Sequence, residues 1–208
     1  MKFYHPILLF TGLTTALALP SSQRAQTSNL AIIQSASFSG SGCPPNTYSI
    51  DLASDGQAIT LGFDAYNTLV GPGSDPSDRE KNCDLTLTLQ YPIGCTAAKI
   101  TSTYHGFAQL EQGVTGIFSS QYNISPGSIS SGGSPPPATI SRNGFGGAGN
   151  VYTKLDEART KVNVRSANQR SVSFVVRSRV LLQANNGNVG GLLTEDDVSI
   201  SIAQQSRC

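Results

Sequence analysis

Apolar and polar residues alternate with a period of two along much of this chain. In residues 85–91, apolar side chains at every second position are separated by Thr86, Thr88 and Gln90. Such alternation predicts strands with one buried and one solvated face, as in antiparallel sheets. The same period is clear in residues 59–64, 172–183 and 198–202. Weaker strand patterns cover residues 47–53, 98–104, 107–112, 115–124, 151–155 and 161–166.

Turn-forming residues separate these segments. Ser54-Asp55-Gly56 suits a tight hairpin, and residues 71–82 form a longer polar loop. Residues 125–149 are rich in Ser, Gly and Pro, which predicts a mobile loop. A helical turn is predicted only near residues 156–159. About ten short strands joined in this way predict an all-β fold, an antiparallel β-sandwich or jelly roll.

The N-terminal segment has the features of an export signal. Lys2 precedes an apolar run over residues 7–18 that ends in small residues at Ala16 and Ala18. The run is shorter than the roughly 20 apolar residues that span a bilayer, so it predicts a cleaved signal peptide over residues 1–18 and no membrane span. Residues 19–41 lack periodicity and are predicted to be a flexible spacer or pro-segment. Residues 42–208 are then a single β-sandwich domain, secreted from the cell.

All four cysteines follow the predicted signal peptide, at Cys43, Cys83, Cys95 and Cys208. An even number of cysteines in an exported chain predicts two disulfides, and the spacing does not choose among the three connectivities. The chain has no C-x-x-C motif, which argues against redox and zinc sites.

Charge gives little reason to expect a nucleic-acid partner, because the 14 basic and 13 acidic residues nearly cancel. Acidic residues concentrate in 51–84 and basic residues in 142–179. We interpret this as two regions that face each other across a sheet and partly cancel. A basic face that meets an anionic surface is the alternative.

Candidate catalytic residues are few. His105 is the one histidine beyond the predicted signal peptide, and the sequence places it in a turn. A hydrolase triad would require a nucleophile and an orienting acid beside it, and no Gly-x-Ser-x-Gly motif is present. A glycosidase would require two carboxylates held together in space. The candidates are Asp64, Glu111, Glu195, Asp196 and Asp197.

Three other features suggest binding or modification. Asp75, Asp78 and Glu80 form an acidic loop that is a candidate calcium site, although a solvated Asx-turn loop is the favoured interpretation. Asn123 begins an N-glycosylation sequon, followed by Pro126. The chain has no tryptophan to stack on sugars. Candidate aromatic platforms, which more often belong to the core, are Tyr66, Tyr104, Tyr122 and Tyr152.

Five motifs in a fixed order resemble one family. They are Ser-Gly-Cys-Pro-Pro-Asn-Thr (41–47), Ser-Asp-Gly-Gln-Ala-Ile-Thr-Leu-Gly-Phe (54–63), Gly-Pro-Gly-Ser through Lys-Asn-Cys-Asp-Leu-Thr-Leu (71–87), Tyr-Pro-Ile-Gly-Cys (91–95) and Tyr-His-Gly-Phe-Ala-Gln-Leu-Glu-Gln-Gly-Val-Thr-Gly (104–116). In this order they resemble DUF4360, a family of small secreted proteins of filamentous fungi.

The resemblance implies a disulfide between Cys43 and Cys83. Many family members pair the C-terminal cysteine with a Cys-Gly in the third quarter of the chain. Here that region is Ala167-Asn168-Gln169, so Cys95 is implied as the partner of Cys208. No catalytic residue or cofactor is carried over from the family.

The sequence therefore favours a secreted, non-enzymatic protein that acts at the fungal cell surface or at a host interface, as effector-like proteins involved in virulence do. The alternative is a carbohydrate-active enzyme or a polysaccharide-binding module of the fungal cell wall. The partner is either a host protein or a wall polysaccharide. No metal or cofactor is expected.

Overall fold

The computed structural model describes residues 31–141 and 149–207, and it shows two antiparallel sheets. The predicted signal peptide, residues 19–30 of the predicted spacer, and Cys208 lie outside the described residues. The smaller sheet has, in spatial order, β1 (Ile32–Ser39), β5 (Glu80–Gln90), β11 (Ser171–Ala184), β7 (Val114–Ser125) and β9 (Ala138–Ser141).

The larger sheet has, in spatial order, β2 (Tyr48–Leu52), β3 (Ala58–Phe63), β13 (Asp197–Arg207), β6 (Gly94–Leu110), β10 (Asn150–Val164) and β8 (Ser128–Ser131). A short strand, β12 (Gly191–Thr194), pairs with β6 and with β4 (Asn67–Val70). Helical structure in residues 31–141 and 149–207 is limited to two 3-10 turns, Pro76–Arg79 and Ala167–Gln169. The predicted all-β, sandwich-like fold is confirmed.

The core lies between the sheets and follows the period-two pattern. Leu87 and Leu89 of β5 and Phe174 of β11 are fully buried, and they alternate with solvated residues on the same strands. The larger sheet contributes Leu61 and Ile200 in the same way. Each large apolar side chain removed from water contributes about 1.5–3 kcal/mol, so this shared layer is the main stabilising feature.

Two predicted interruptions of strands are wrong. β6 runs without a break through His105, and Gly106 is not part of a turn. A Cβ on Gly106 would lie 2.1 Å from the carbonyl oxygen of Thr194, so the glycine is needed for close packing of the neighbouring chain. The helical turn predicted at residues 156–159 is also absent, because β10 pairs with β6 over its whole length.

Two predicted irregular segments contain strands. Residues 32–39, which the sequence assigns to a flexible spacer, form β1 and pair with β5. The mobile loop predicted for residues 125–149 contains β8 and β9, and its residues 142–148 lie outside the described part of the chain. Both errors have one cause. These strands are short or rich in serine, and pairing with longer strands holds them.

The Cys43–Cys83 disulfide is confirmed, with Cα atoms 5.5 Å apart. It attaches the segment before β2 to the middle of β5, so it links the larger sheet to the smaller one. The second predicted bridge, Cys95–Cys208, involves a residue outside the described chain and stays a prediction.

The charged segments meet on neighbouring strands, as the first interpretation predicts. Asp84 of β5 lies opposite Arg177 of β11, and Glu80 lies diagonally across from Arg179. Arg179 Nη2 donates to Glu80 Oε2 at 2.6 Å, and Arg177 Nε lies 3.5 Å from Asp84 Oδ2. Within the described ranges, no helix is long and apolar enough to cross a membrane.

Candidate functional site

His105 lies on the outer face of the larger sheet, where it meets an acid that comes late in the sequence. Its Nδ1 is 2.8 Å from Asp197 Oδ1, across the β6–β13 ladder. Both side chains are partly exposed. No serine or threonine hydroxyl of the described chain is hydrogen-bonded to the imidazole. The pair therefore has the orienting acid of a hydrolase triad but no activated nucleophile.

The remaining carboxylates predicted for a glycosidase do not converge on a cleft. Glu111 follows β6 and accepts a hydrogen bond from the Gly190 N–H at 2.7 Å. Asp196 accepts from the Thr194 hydroxyl at 2.7 Å, and Asp64 is exposed after β3. Glu195 is buried between the sheets. Glu111 and Asp196 serve separate local contacts, Asp64 is exposed and Glu195 is buried, so these acids do not line one cleft together.

The acidic loop predicted to bind calcium is explained by its own contacts. Asp75 accepts hydrogen bonds from the Ser77 N–H and hydroxyl, both at 2.8 Å, and thereby caps the 3-10 turn. These bonds lower the pKa of the Asp75 carboxyl. Asp78 pairs with Lys81 at 3.2 Å, while Glu80 pairs with Arg179. Among the described residues, no group of three potential metal ligands occurs.

The four tyrosines considered as platforms for sugar rings are core residues. They are therefore not exposed surfaces on which a sugar could stack. The Tyr66 hydroxyl lies 3.0 Å from Ser178 Oγ, and the Tyr104 and Tyr122 hydroxyls lie 2.7 Å apart. Tyr152 donates to the Thr194 carbonyl oxygen at 2.6 Å. Burial raises the pKa of Tyr104 and of Tyr66 well above the usual value, so these hydroxyls remain protonated hydrogen-bonding groups.

Asn123 lies on the exposed outer face of β7. An exposed position is compatible with the sequon, and glycosylation at Asn123 stays a prediction.

The outer face of the larger sheet carries rows of small hydroxyl side chains. Thr60, Ser199 and Thr103 lie opposite one another on β3, β13 and β6, and the Thr60 and Ser199 hydroxyls are 3.1 Å apart. The next row contains Asp197, His105 and Thr153. We call these six residues, with Thr101 and Ser201, the hydroxyl face.

Apolar side chains lie along one side of the hydroxyl face. Val151 and Leu155 of β10 are 73% and 61% exposed, although both are large and apolar. Val151 is directly opposite Phe107 on β6, and Leu155 is directly opposite Thr103. The face therefore combines hydrogen-bonding groups with a border of apolar contact area.

A second polar cluster, which the sequence pattern does not predict, lies inside the sandwich. Lys154 and Asp156 are 6% and 4% exposed, because alternate residues of β10 point into the core. Lys154 Nζ lies 2.5 Å from each oxygen of Asp156 and donates to Ser120 Oγ at 2.8 Å. Asp156 Oδ2 also accepts from the Ser120 hydroxyl and from the Tyr122 hydroxyl.

Glu195 completes this buried cluster. Both of its carboxyl oxygens are buried without a hydrogen-bond partner in the described part of the chain. Burial raises the pKa of Glu195 well above its usual range, and the nearby Lys154 charge offsets part of that increase. The signal that reveals the cluster is the continuous alternation of β10, in which residues 152, 154 and 156 share a face with Val162 and Val164.

Comparison with known proteins gives a family and a relative. An "Uncharacterized secreted protein" of Arthroderma benhamiae is 34% identical over 167 residues, which are 80% of this chain and 65% of the relative. This chain thus spans about two thirds of the relative's length. The description of the relative as secreted agrees with the export predicted from residues 1–18.

Among solved structures, that of TmCBM61 in complex with beta-1,4-galactotriose covers 82% of this chain and 88% of its own, at 9% identity and a TM-score of 0.24. A similarity this low supports no inference about the ligand. A family model described as "Domain of unknown function (DUF4360)" matches residues 30–208. The chain belongs to the DUF4360 family.

Proposed function

We propose that this protein is a secreted, non-catalytic binding protein of the fungal cell surface, and that its hydroxyl face binds wall polysaccharide. The observation that carries the proposal is the alignment of Thr60, Ser199 and Thr103 across three adjacent strands. This location is supported by the export signal predicted from the sequence, by the family membership and by the fungal origin of the relative.

The spacing of the hydroxyl face suits an extended polymer. Adjacent strands lie about 4.8 Å apart, and side chains of one face repeat every second residue, or roughly 6.8 Å along a strand. Serine and threonine hydroxyls both donate and accept hydrogen bonds, as sugar hydroxyls do. A polysaccharide lying across the strands therefore meets a regular series of complementary groups.

The border of the face supplies a second kind of contact. Pyranose rings have apolar C–H surfaces, and Val151, Leu155 and Phe107 offer apolar area beside the hydroxyl rows. Burying this area favours binding by about 25 cal/mol per Å². His105, held by Asp197, adds a ring nitrogen with a fixed orientation.

The same geometry argues against catalysis. The His105–Asp197 pair lies on the partly exposed outer face of the larger sheet, where water has access to it. The other acids predicted for a glycosidase are separated, because Glu195 is buried while Asp64 is exposed. A binding role needs neither a nucleophile nor an acid pair.

Retention on insoluble polysaccharides tests the proposal. The secreted protein is incubated with chitin, β-glucan and cellulose, and the unbound fraction is measured. Thr103→Glu places a charge in the middle of the hydroxyl face and is expected to weaken retention at least tenfold, because it leaves an unpaired charge under the polymer. Thr86→Glu is the matched control, since Thr86 holds the equivalent central position on the outer face of the smaller sheet.

Three outcomes would contradict the proposal. Retention on none of the polysaccharides would refute it, and capture of a host protein in their place would favour the effector-like alternative. Equal loss in Thr86→Glu and Thr103→Glu would refute the hydroxyl face as the site. Release of soluble sugars by the wild-type protein would refute the non-catalytic assignment.

A further inference from the structure

The buried cluster of Lys154, Asp156 and Glu195 is unusual for a core that otherwise follows the apolar pattern. Lys154 Nζ lies 2.5 Å from each of the two oxygens of Asp156, so the nitrogen is held in direct contact with the carboxyl group that it would attack. The two residues project from the same face of β10, and no movement of the backbone is needed to bring them together.

Water is excluded from this position. Lys154 Nζ lies 5.5 Å from the centre of the Tyr104 ring and 5.4 Å from that of Phe118. Lys154 and Asp156 are both almost completely buried, and Glu195 is 1% exposed. Holding an ion pair in such surroundings costs several kcal/mol of desolvation for each ion. A reaction that removes both charges recovers this cost.

We propose that Lys154 and Asp156 condense to an intramolecular amide bond in the folded protein, with the Ser120 hydroxyl, which contacts both groups, relaying a proton between them. The proposal concerns the core and is independent of the hydroxyl face. In this reaction the folded protein catalyses its own cross-linking.

The condensation is balanced within the cluster. The Lys154 ammonium gives a proton to the Asp156 carboxylate, and the neutral amine then attacks the carboxyl carbon. The Ser120 hydroxyl, 2.8 Å from Lys154 Nζ, accepts the second proton from the attacking nitrogen while its own proton passes to the departing oxygen of Asp156. A C–N bond forms, a C–O bond breaks, one water leaves, and the Ser120 hydroxyl is restored.

The hydrogen bonds identify which oxygen departs. Asp156 Oδ2 accepts from the Ser120 and Tyr122 hydroxyls, so the protons that the departing oxygen needs reach Oδ2. Oδ2 therefore leaves as water, and Oδ1 becomes the amide oxygen. The fixed approach of the amine replaces the high reactant concentration that the same reaction would need in solution.

Peptide mapping of the secreted protein tests the proposal. Trypsin normally cleaves after Lys154 and after Arg159. An amide at Lys154 blocks the first cleavage, so the denatured protein is expected to yield one peptide, residues 143–159, lighter by the mass of one water. The solvent-exposed pair Lys99–Glu157 is an internal control, because trypsin is expected to cleave after Lys99 in the same digest.

Variants separate the proposed roles. Lys154→Arg keeps a buried cation but removes the nucleophilic amine, and its digest is expected to be cleaved after position 154 without loss of water. Ser120→Ala keeps the backbone and the Cβ but removes the hydroxyl that relays the proton. It is expected to slow the condensation by at least about a hundredfold, so that freshly purified protein gives two separate peptides.

The wild-type digest tests for the Lys154–Asp156 amide bond directly, even where a variant fails to fold. Efficient cleavage after Lys154, with both peptides at full mass, would overturn the proposal. Loss of water with cleavage after Lys154 intact would indicate a succinimide at Asp156 and would overturn it equally. Complete cross-linking in freshly purified Ser120→Ala would overturn the role of Ser120.

Discussion

Removing the Cys43–Cys83 disulfide is expected to lower the free energy of unfolding, because the bridge restricts the conformations of the unfolded chain. The bridge joins residues 40 positions apart, and the closed loop contains β2, β3 and β4. Restricting a loop of this length contributes about 4 kcal/mol in the chain-entropy model. The segment stays anchored without the bridge, because the Gly42 N–H donates to the Asn82 carbonyl oxygen at 2.8 Å. The loss should therefore appear in global unfolding rather than as local fraying.

The measurement is equilibrium unfolding in guanidinium chloride, followed by far-ultraviolet circular dichroism, for the wild-type protein and a variant with Cys43→Ala and Cys83→Ala. The midpoint should fall and the denaturant slope m should rise, because the untethered chain exposes more surface on unfolding. Both cysteines are buried, so truncation also removes packing, but lost packing alone leaves m unchanged. A loss of less than about 1 kcal/mol with an unchanged m would refute the loop-entropy reasoning.

Two further predictions concern Glu195 and the second bridge. Because burial raises the pKa of Glu195, the folded protein retains a proton that the unfolded chain releases above about pH 4.3. The free energy of unfolding should then fall as pH rises from that value to the folded-state pKa, by up to about 1.4 kcal/mol per pH unit. Glu195→Gln should remove this slope in urea titrations across the range, and an unchanged slope would show that the carboxyl is solvated. The antiparallel β13–β6 register pairs Arg207 with Thr96. If this register continues by one residue, Cys208 lies opposite Cys95. A non-reducing digest should yield these two cysteines in one linked peptide pair, whereas alkylation of both thiols without reduction would contradict it.

Much of the fold follows from local pattern. The alternation in residues 85–91 and 172–183 predicts β5 and β11, and the structure places the apolar members of both in the core. Such strands are predictable because one face is apolar and the other polar. The pattern fails at residues 156–159, where Asp156 is polar and yet buried.

The strand pattern and the family of the chain can be predicted from the sequence alone, and an export signal in residues 1–18 is expected on the same basis. Which polar residues become neighbours depends on the tertiary structure. His105 and Asp197 are 92 positions apart and become neighbours only through the register of β13 against β6. Tertiary structure also decided that Lys154 lies inside while Leu155 lies outside. Period two groups residues into faces, but when both faces are mixed in character, only packing against the opposite sheet determines which one is buried.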